Sequence, residues 1–227
     1  MPQSFQSTRW SLIQQVAATD LQQREAAWRE FDQLYREPLL GFIRRVGWGK
    51  EEAEDLLQGF LAKLAERDWL KAADPDRGKM RTFLLSKLKG HLSDARKFQK
   101  AQKRGGDAVF ISLDELPDIA DTTLDIEFDR EWAQAILSRA LAKLQTESEA
   151  KGQGEVYARL RSQLTGDALD KLRDAAAKLG ETEGALRMQL SRLRERFRKV
   201  LREEVAETLL PDEDISEEMR YLAEILS

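Results

Sequence analysis

The stretch AAKLGETEGALRMQLSRLRERF, Ala176 to Phe197, decides how the rest of the chain is read. A first helical pattern runs out at Leu179 and Gly180, a short step follows, and a second helical pattern begins. Gly180 is suited to end a helix. Thr182 can cap the next one, its hydroxyl accepting amide hydrogens that have no partner in a first turn. On the second helix Leu186, Leu190, Leu193, Phe197 and the pair Val200/Leu201 recur at core spacing. Arg187, Ser191, Arg194 and Arg198 fall on the opposite face, with Glu183 at its start. This is the sequence form of a helix-turn-helix. A hydroxyl and three guanidiniums on one stripe suit phosphate oxygens and guanine edges. A solvated helix face gives the same pattern, so this helix alone leaves DNA and plain solvent equally open.

Composition narrows the choice. The chain has 227 residues, 34% of them charged, with 13 Gly and only 5 Pro. Ala, Leu, Glu, Lys and Arg dominate, which predicts an all-α fold in one or two domains. There is no cysteine and a single histidine, His91. Disulfides and thiolate metal sites are excluded, and neither a catalytic site, a metal nor a cofactor is expected. The opening MPQSFQSTRWSLIQQ lacks a signal-peptide pattern, and no apolar run is long enough for a bilayer, so no membrane partner and a cytoplasmic location are expected.

The net charge of −4 argues against nucleic acid only as an average. From Arg77 to Arg104 there are ten Lys/Arg against Asp94 alone, and from Asp107 to Glu131 nine acids against Arg130 alone. From Arg187 to Arg202 seven bases face Glu195, and from Glu203 to Ser227 nine acids face Arg220. Two anion-binding surfaces, each followed by an acidic segment, are implied.

The apolar periods place helices on either side of an irregular segment. Trp28, Phe31, Leu34, Tyr35, Leu39, Phe42 and Ile43 mark the first, which Pro38 is expected to bend or restart. Leu56, Leu57, Phe60, Leu61 and Leu64 mark the second, with Asp55, Gln58 and Gly59 on its other side. A third spans KMRTFLLSKLKGHLSDARKFQKAQKR. From about Gln102 to Phe128 two glycines, a proline and dense acids break the repeat, and this reads as a linker. Periodicity resumes with Trp132, Ile136, Leu137, Ala140, Leu141 and Leu144. The tail ends in a short amphipathic helix around Met219 to Leu226.

Several of these segments, in this order, resemble an extracytoplasmic-function sigma factor of bacterial RNA polymerase, of a variety common in planctomycetes and related bacteria. The resemblance runs from TRWSLI to the tail. AEDLLQGFLAKL is similar to the polymerase-binding motif of region two, and DPDRGKMRTFLLSKLKGHLSDARK to its promoter-melting segment. KRGG at Lys103 to Gly106 and LDIEFDREWAQAILSRALAKL resemble signatures of the variety, and the stretch quoted first occupies the place of the region-four helix-turn-helix. The resemblance implies an all-α chain of two helical domains. Residues 1–101 would form region two, 102–128 an acidic linker, 129–202 region four and 203–227 an acidic tail helix.

It also implies a factor without an enzymatic site that binds core RNA polymerase and directs promoter recognition and melting. Glu54, Asp55 and Gln58 would face the polymerase clamp helices. The loop Asp74 to Lys79 would hold an extruded base. Arg77, Lys79, Arg81, Lys87, Lys89, Arg96 and Lys97 would contact promoter DNA from region two, with salt-sensitive affinity. Thr182, Glu183, Arg187, Ser191, Arg194 and Arg198 would contact it from region four, which also binds the polymerase flap. An anti-sigma protein would be a further partner of such a factor. Gly59 departs from the pattern, which has an acid after the glutamine, and leaves the clamp contact one carboxylate short. Phe83 and Trp69 are expected in the core and His91 at the surface or facing backbone. For the tail, folding back on region four to compete with DNA or flap and ordinary packing are both open.

Two rivals remain at the level of sequence. A helix-turn-helix DNA-binding regulator that does not engage polymerase explains the basic stripes but leaves Glu54–Asp55 and the two-domain layout as coincidence. A helical nuclease using Glu51, Glu54 and Asp55 as metal ligands is permitted by their spacing of about one turn, yet acids are expected at a helix start anyway.

Overall fold

A computed structural model describes residues 21–65, 79–103, 118–164, 182–209 and 213–227. Seven α-helices are labelled in chain order: α1 Leu21–Arg45, α2 Lys50–Ala65, α3 Met80–Lys103, α4 Thr122–Ala150, α5 Gly154–Leu160, α6 Glu183–Ala206 and α7 Ile215–Leu226. A 3-10 turn, Arg161–Gln163, follows α5. No strand occurs among the described residues, and the fold is all-α as composition implies. Outside the described residues lie TRWSLI, Trp69, Asp74 to Gly78 with Arg77, Arg104 to Gly106, and the first helix of the expected helix-turn-helix with Gly180.

The described residues fall into two compact units, one within Met1–Ala135 and Ala206–Ser227, the other within Ile136–Val205. In the first unit, α1 ends in a turn fixed by Gly47, whose φ of 100° is natural only to glycine. Gly47 N–H donates to Arg44 O at 2.9 Å and Trp48 N–H to Ile43 O at 3.5 Å, the paired bonds that close a helix C-terminus, while the Trp48 side chain is buried beyond it. The Glu52 carboxylate then accepts from Gly49 N–H at 3.4 Å, closing the first turn of α2. The core contains Phe31, Tyr35, Phe42 and Ile43 of α1, Leu57, Phe60 and Leu64 of α2, and Met80, Leu84, Leu88 and Leu92 of α3. Each such side chain stabilises the unit by ~1.5–3 kcal/mol through removal of apolar surface from water.

Pro38 neither ends nor restarts α1, which runs through it as one helix. Proline forfeits one backbone hydrogen bond, but Tyr35, Leu39, Leu40 and Phe42 around it are all buried and hold both sides of the gap.

The acidic segment differs from expectation. Residues 122–128, read as linker, are the opening turns of α4. The Asp121 carboxylate accepts from Thr123 N–H at 2.8 Å and caps the helix, a bond that holds its pKa below the usual value. Phe128 meets Phe42 edge-on with ring centroids 6.1 Å apart, and Trp132 stacks on Tyr35 at 4.8 Å and 21°. The expected boundary at 128/129 thus falls inside a helix. Nearby, Arg45 pairs with Glu131, whose carboxyl lies so close to Gly41 that a Cβ there would stand 2.8 Å from its carbon.

The tail, for which the sequence leaves fold-back and ordinary packing both open, packs in the first unit: its helix α7 lies with α3 and the opening of α4. Asp214 caps it by accepting from Ser216 N–H at 2.7 Å, and Glu218 and Leu222 are its buried residues.

In the second unit one cluster joins Ala140 and Leu144 of α4, Tyr157 and Leu160 of α5, Leu164, and Leu186, Leu190, Phe197 and Val200 of α6. Tyr157 is buried and its hydroxyl donates to Leu141 O at 2.9 Å, so the ring enters the core without orphaning its polar end.

Candidate functional site

Helix α6 carries the second half of the stretch that opened the sequence reading. Thr182 stands just ahead of it, and its hydroxyl accepts from Ala185 N–H at 3.2 Å. Leu186, Leu190, Phe197 and Val200 are buried, and on the other side Arg187, Ser191 and Arg198 are exposed. Arg187 is 59% exposed and pairs with Glu183 one turn back, at 2.6 Å. An exposed pair of this kind contributes ~0–1 kcal/mol, so an incoming anion displaces Glu183 with little loss.

Arg194 does not join this stripe. Its Nε and Nη2 both donate to Gln163 O, at 3.2 and 2.8 Å, which ties α6 to the end of the 3-10 turn. Arg196, one step further round, grips Glu147 through two bonds of 2.7 and 2.6 Å, and that contact draws the Glu147 carboxyl below its usual range. Exposed residues that the sequence reading passed over are Met188, 57% accessible, with Arg192 and Lys199. They widen the outer face of α6 and add an apolar contact to it. Met188 directly follows Arg187, and that adjacency was the available signal.

The polar face of α2 divides in two. Glu54 accepts from Arg36 at 2.5 Å and lies 3.5 Å from Arg44, so its charge is already countered within the unit. Asp55 and Gln58 are exposed. Gly59 packs beside His91, whose Nε2 would lie 3.6 Å from a Cβ at that position, an ordinary contact. The ring is buried and not at the surface, and it faces the backbone of α2. Its Nε2 donates to Leu56 O at 3.1 Å, which leaves Nδ1 as acceptor for the Lys63 ammonium at 3.3 Å. Burial, and then the Lys63 charge, push the His91 pKa below 6.5 and keep the ring neutral.

Comparison with family models, curated proteins and solved structures returns no match. What the surfaces can do therefore rests on their own chemistry.

On α3 the described basic residues do not form an open track. Lys79 pairs with Glu218 at 2.6 Å, and Arg81 reaches both Glu218 and Asp129, the latter at 3.1 Å. Lys89 pairs with Asp125. Arg96 donates to Val46 O at 2.9 Å at the end of α1, and burial lowers its pKa. Lys87 is half-buried with its ammonium 5.8 Å from the Phe83 ring, itself half-buried, while Lys97 is exposed beside Asp94. Arg77 lies outside the described residues. Lys79, Arg81 and Lys89 thus meet Glu218, Asp129 and Asp125 as a matched set.

Among the described residues no three His, Cys, Asp or Glu gather so as to hold a metal ion, and Glu54, one of the acids a nuclease reading requires, is turned to two arginines. No described helix is long and apolar enough to cross a membrane.

Proposed function

We propose that the chain is a sigma-type transcription-initiation factor, acting in the cytoplasm, with no reaction of its own. It binds core RNA polymerase and promoter DNA. The observation that carries the reading is the two-sided character of α6: an apolar face that builds its unit, and an outer face where Arg187, Ser191 and Arg198 are exposed behind the Thr182 cap. A capped helix with a rigid inner face is a suitable reader of a major groove. Guanidiniums near its start reach base edges and phosphates, and those further along track the backbone.

The exposed carboxylate of Asp55 and amide of Gln58 provide the polymerase contact of the first unit, with Glu54 holding α2 to α1 from beneath. Mixing the full chain with core polymerase tests the reading. Co-elution and promoter-dependent transcripts are expected, and a chain that elutes apart from polymerase at micromolar concentration overturns it.

A second reading, a DNA-binding regulator independent of polymerase, draws on one observation: Glu54 is already paired with Arg36 and Arg44, which leaves the presumed clamp contact weaker than the family pattern implies. The same co-elution separates the two.

A further inference from the structure

Glu218 is a carboxylate with no solvent exposure, and it sits against two cations, the Lys79 ammonium at 2.6 Å and the Arg81 guanidinium. Arg81 is itself only 8% exposed and is shared with Asp129. The Tyr221 ring lies over both cations, 4.8 Å from the Arg81 Cζ and 5.9 Å from the Lys79 Nζ, and its hydroxyl bonds Asp129. At the far end of α7, Arg130 Nε donates to Ile225 O at 3.0 Å. Two cations, one of them a planar fork, hold the two oxygens of one carboxylate much as they would hold the two free oxygens of a phosphodiester.

The acids that cover α3 come from two helices of unequal hold. The opening of α4 brings Asp125 and Asp129 but is anchored by Phe128 and Trp132 in the core. Helix α7 has twelve residues, and only Glu218 and Leu222 are buried. A helix that short has little stability of its own, and its attachment joins the Glu218 carboxylate to one buried leucine, the Tyr221 ring and the Arg130–Ile225 bond. Such a contact weakens as soon as another anion offers the same charge.

We propose that α7 is a displaceable latch: Glu218 occupies a nucleic-acid phosphate site made by Lys79 and Arg81, and single-stranded DNA and α7 compete for it. The proposal rests on the sigma-type reading for its biological setting, and its physical content, competition between a carboxylate and a phosphodiester, stands apart from polymerase. A latch closed in about nine molecules of ten lowers the apparent DNA affinity about tenfold, because only the open fraction binds. Neutralising one phosphate at this site steepens the dependence of log affinity on log salt by ~0.7 for a single strand.

The test compares the full chain with Glu218→Gln, Glu217→Gln and Tyr221→Phe. A labelled single-stranded oligonucleotide is titrated at several salt concentrations, with far-UV circular dichroism of every protein and core-polymerase co-elution run in parallel. Glu217 is exposed and one residue away, so Glu217→Gln makes the same change in net charge without touching the site. The expected result is about tenfold tighter binding and a steeper salt slope for Glu218→Gln, a smaller gain for Tyr221→Phe, and less than twofold for Glu217→Gln. Equal gains for Glu218→Gln and Glu217→Gln would show bulk charge alone and overturn the latch, as would no gain in any variant. Should Glu218→Gln lose helical signal, Tyr221→Phe decides, and binding equal to the parent overturns the proposal. A gain in polymerase binding with none for DNA assigns the covered surface to protein and refutes the phosphate site. DNA gain without polymerase co-elution keeps the latch and removes the sigma-type reading instead.

Discussion

Replacing Phe128 by alanine tests whether the acidic segment is part of a core. The side chain has no solvent exposure, meets Phe42 edge-on at 6.1 Å and lies 6.0 Å from the Trp132 ring. Truncation removes a fully buried ring and leaves a cavity between α1 and α4, a loss of ~3–5 kcal/mol that includes ~0.5–1.5 kcal/mol from the aromatic pair. With a urea dependence of ~2 kcal/mol per molar, the midpoint should fall by about 2 M. The assay is selective, because Trp28, Trp48 and Trp132 belong to the first unit and the sequence has no tryptophan from Ile136 to Val205. Ile126→Ala, two residues earlier and 49% exposed, is the control and should stay within about 0.5 kcal/mol. A Phe128→Ala loss below about 1 kcal/mol would refute the placement of residues 122–128 in that core.

His91 gives a pH signature. Its folded pKa lies below 6.5, so as pH falls past that value the unfolded chain takes the proton first and stability drops, an effect fully absent above it. Urea melts at about pH 7.5 and pH 5.5 should show it, and a His91→Gln variant with an undiminished drop would assign the effect elsewhere. On α6 the two arginines should separate. Arg187→Ala loses ~1–3 kcal/mol of DNA binding with relaxed preference at one base, whereas Arg194→Ala loses ~1.5–3 kcal/mol of fold stability through its bonds to Gln163 O. Equal thermal stability of parent and Arg194→Ala would contradict that division. On α2, Asp55→Ala should weaken co-elution with core polymerase without loss of helicity, while Glu54→Gln should cost ~1 kcal/mol or less of stability. Unchanged polymerase affinity in Asp55→Ala removes Asp55 from the contact.

The helices were legible wherever one face is apolar at a steady period, as in α2, α3 and α6. The start of α4 was not, although Leu124, Phe128 and Trp132 recur every four residues. Nine acids between Asp107 and Glu131 obscured them, yet those acids suit a helix start: Asp121 caps it, and Asp125 and Asp129 neutralise Lys89 and Arg81. The candidate site divides in the same way. Periodicity alone marks Arg187, Ser191 and Arg198 as outward. That Arg194, Arg96 and Arg81 are engaged internally depends on partners 31, 50 and 137 residues away, and charge counting along a chain has no access to such pairings.

The close approach at Gly41 has a consequence for how this chain can change. Alanine there would favour the helix by ~1 kcal/mol, yet its methyl group would enter space held by the Glu131 carboxyl, the mobile end of a side chain that also pairs with Arg45, 86 residues away. Alanine at 41 therefore asks Glu131 to swing aside and loosen a partly exposed ion pair of ~0–1 kcal/mol, which nearly cancels the helical gain. A shorter residue at 131 lifts that opposition. Replacement at 41 should thus be close to neutral beside Glu131 and favourable without it, so the two positions record each other's history.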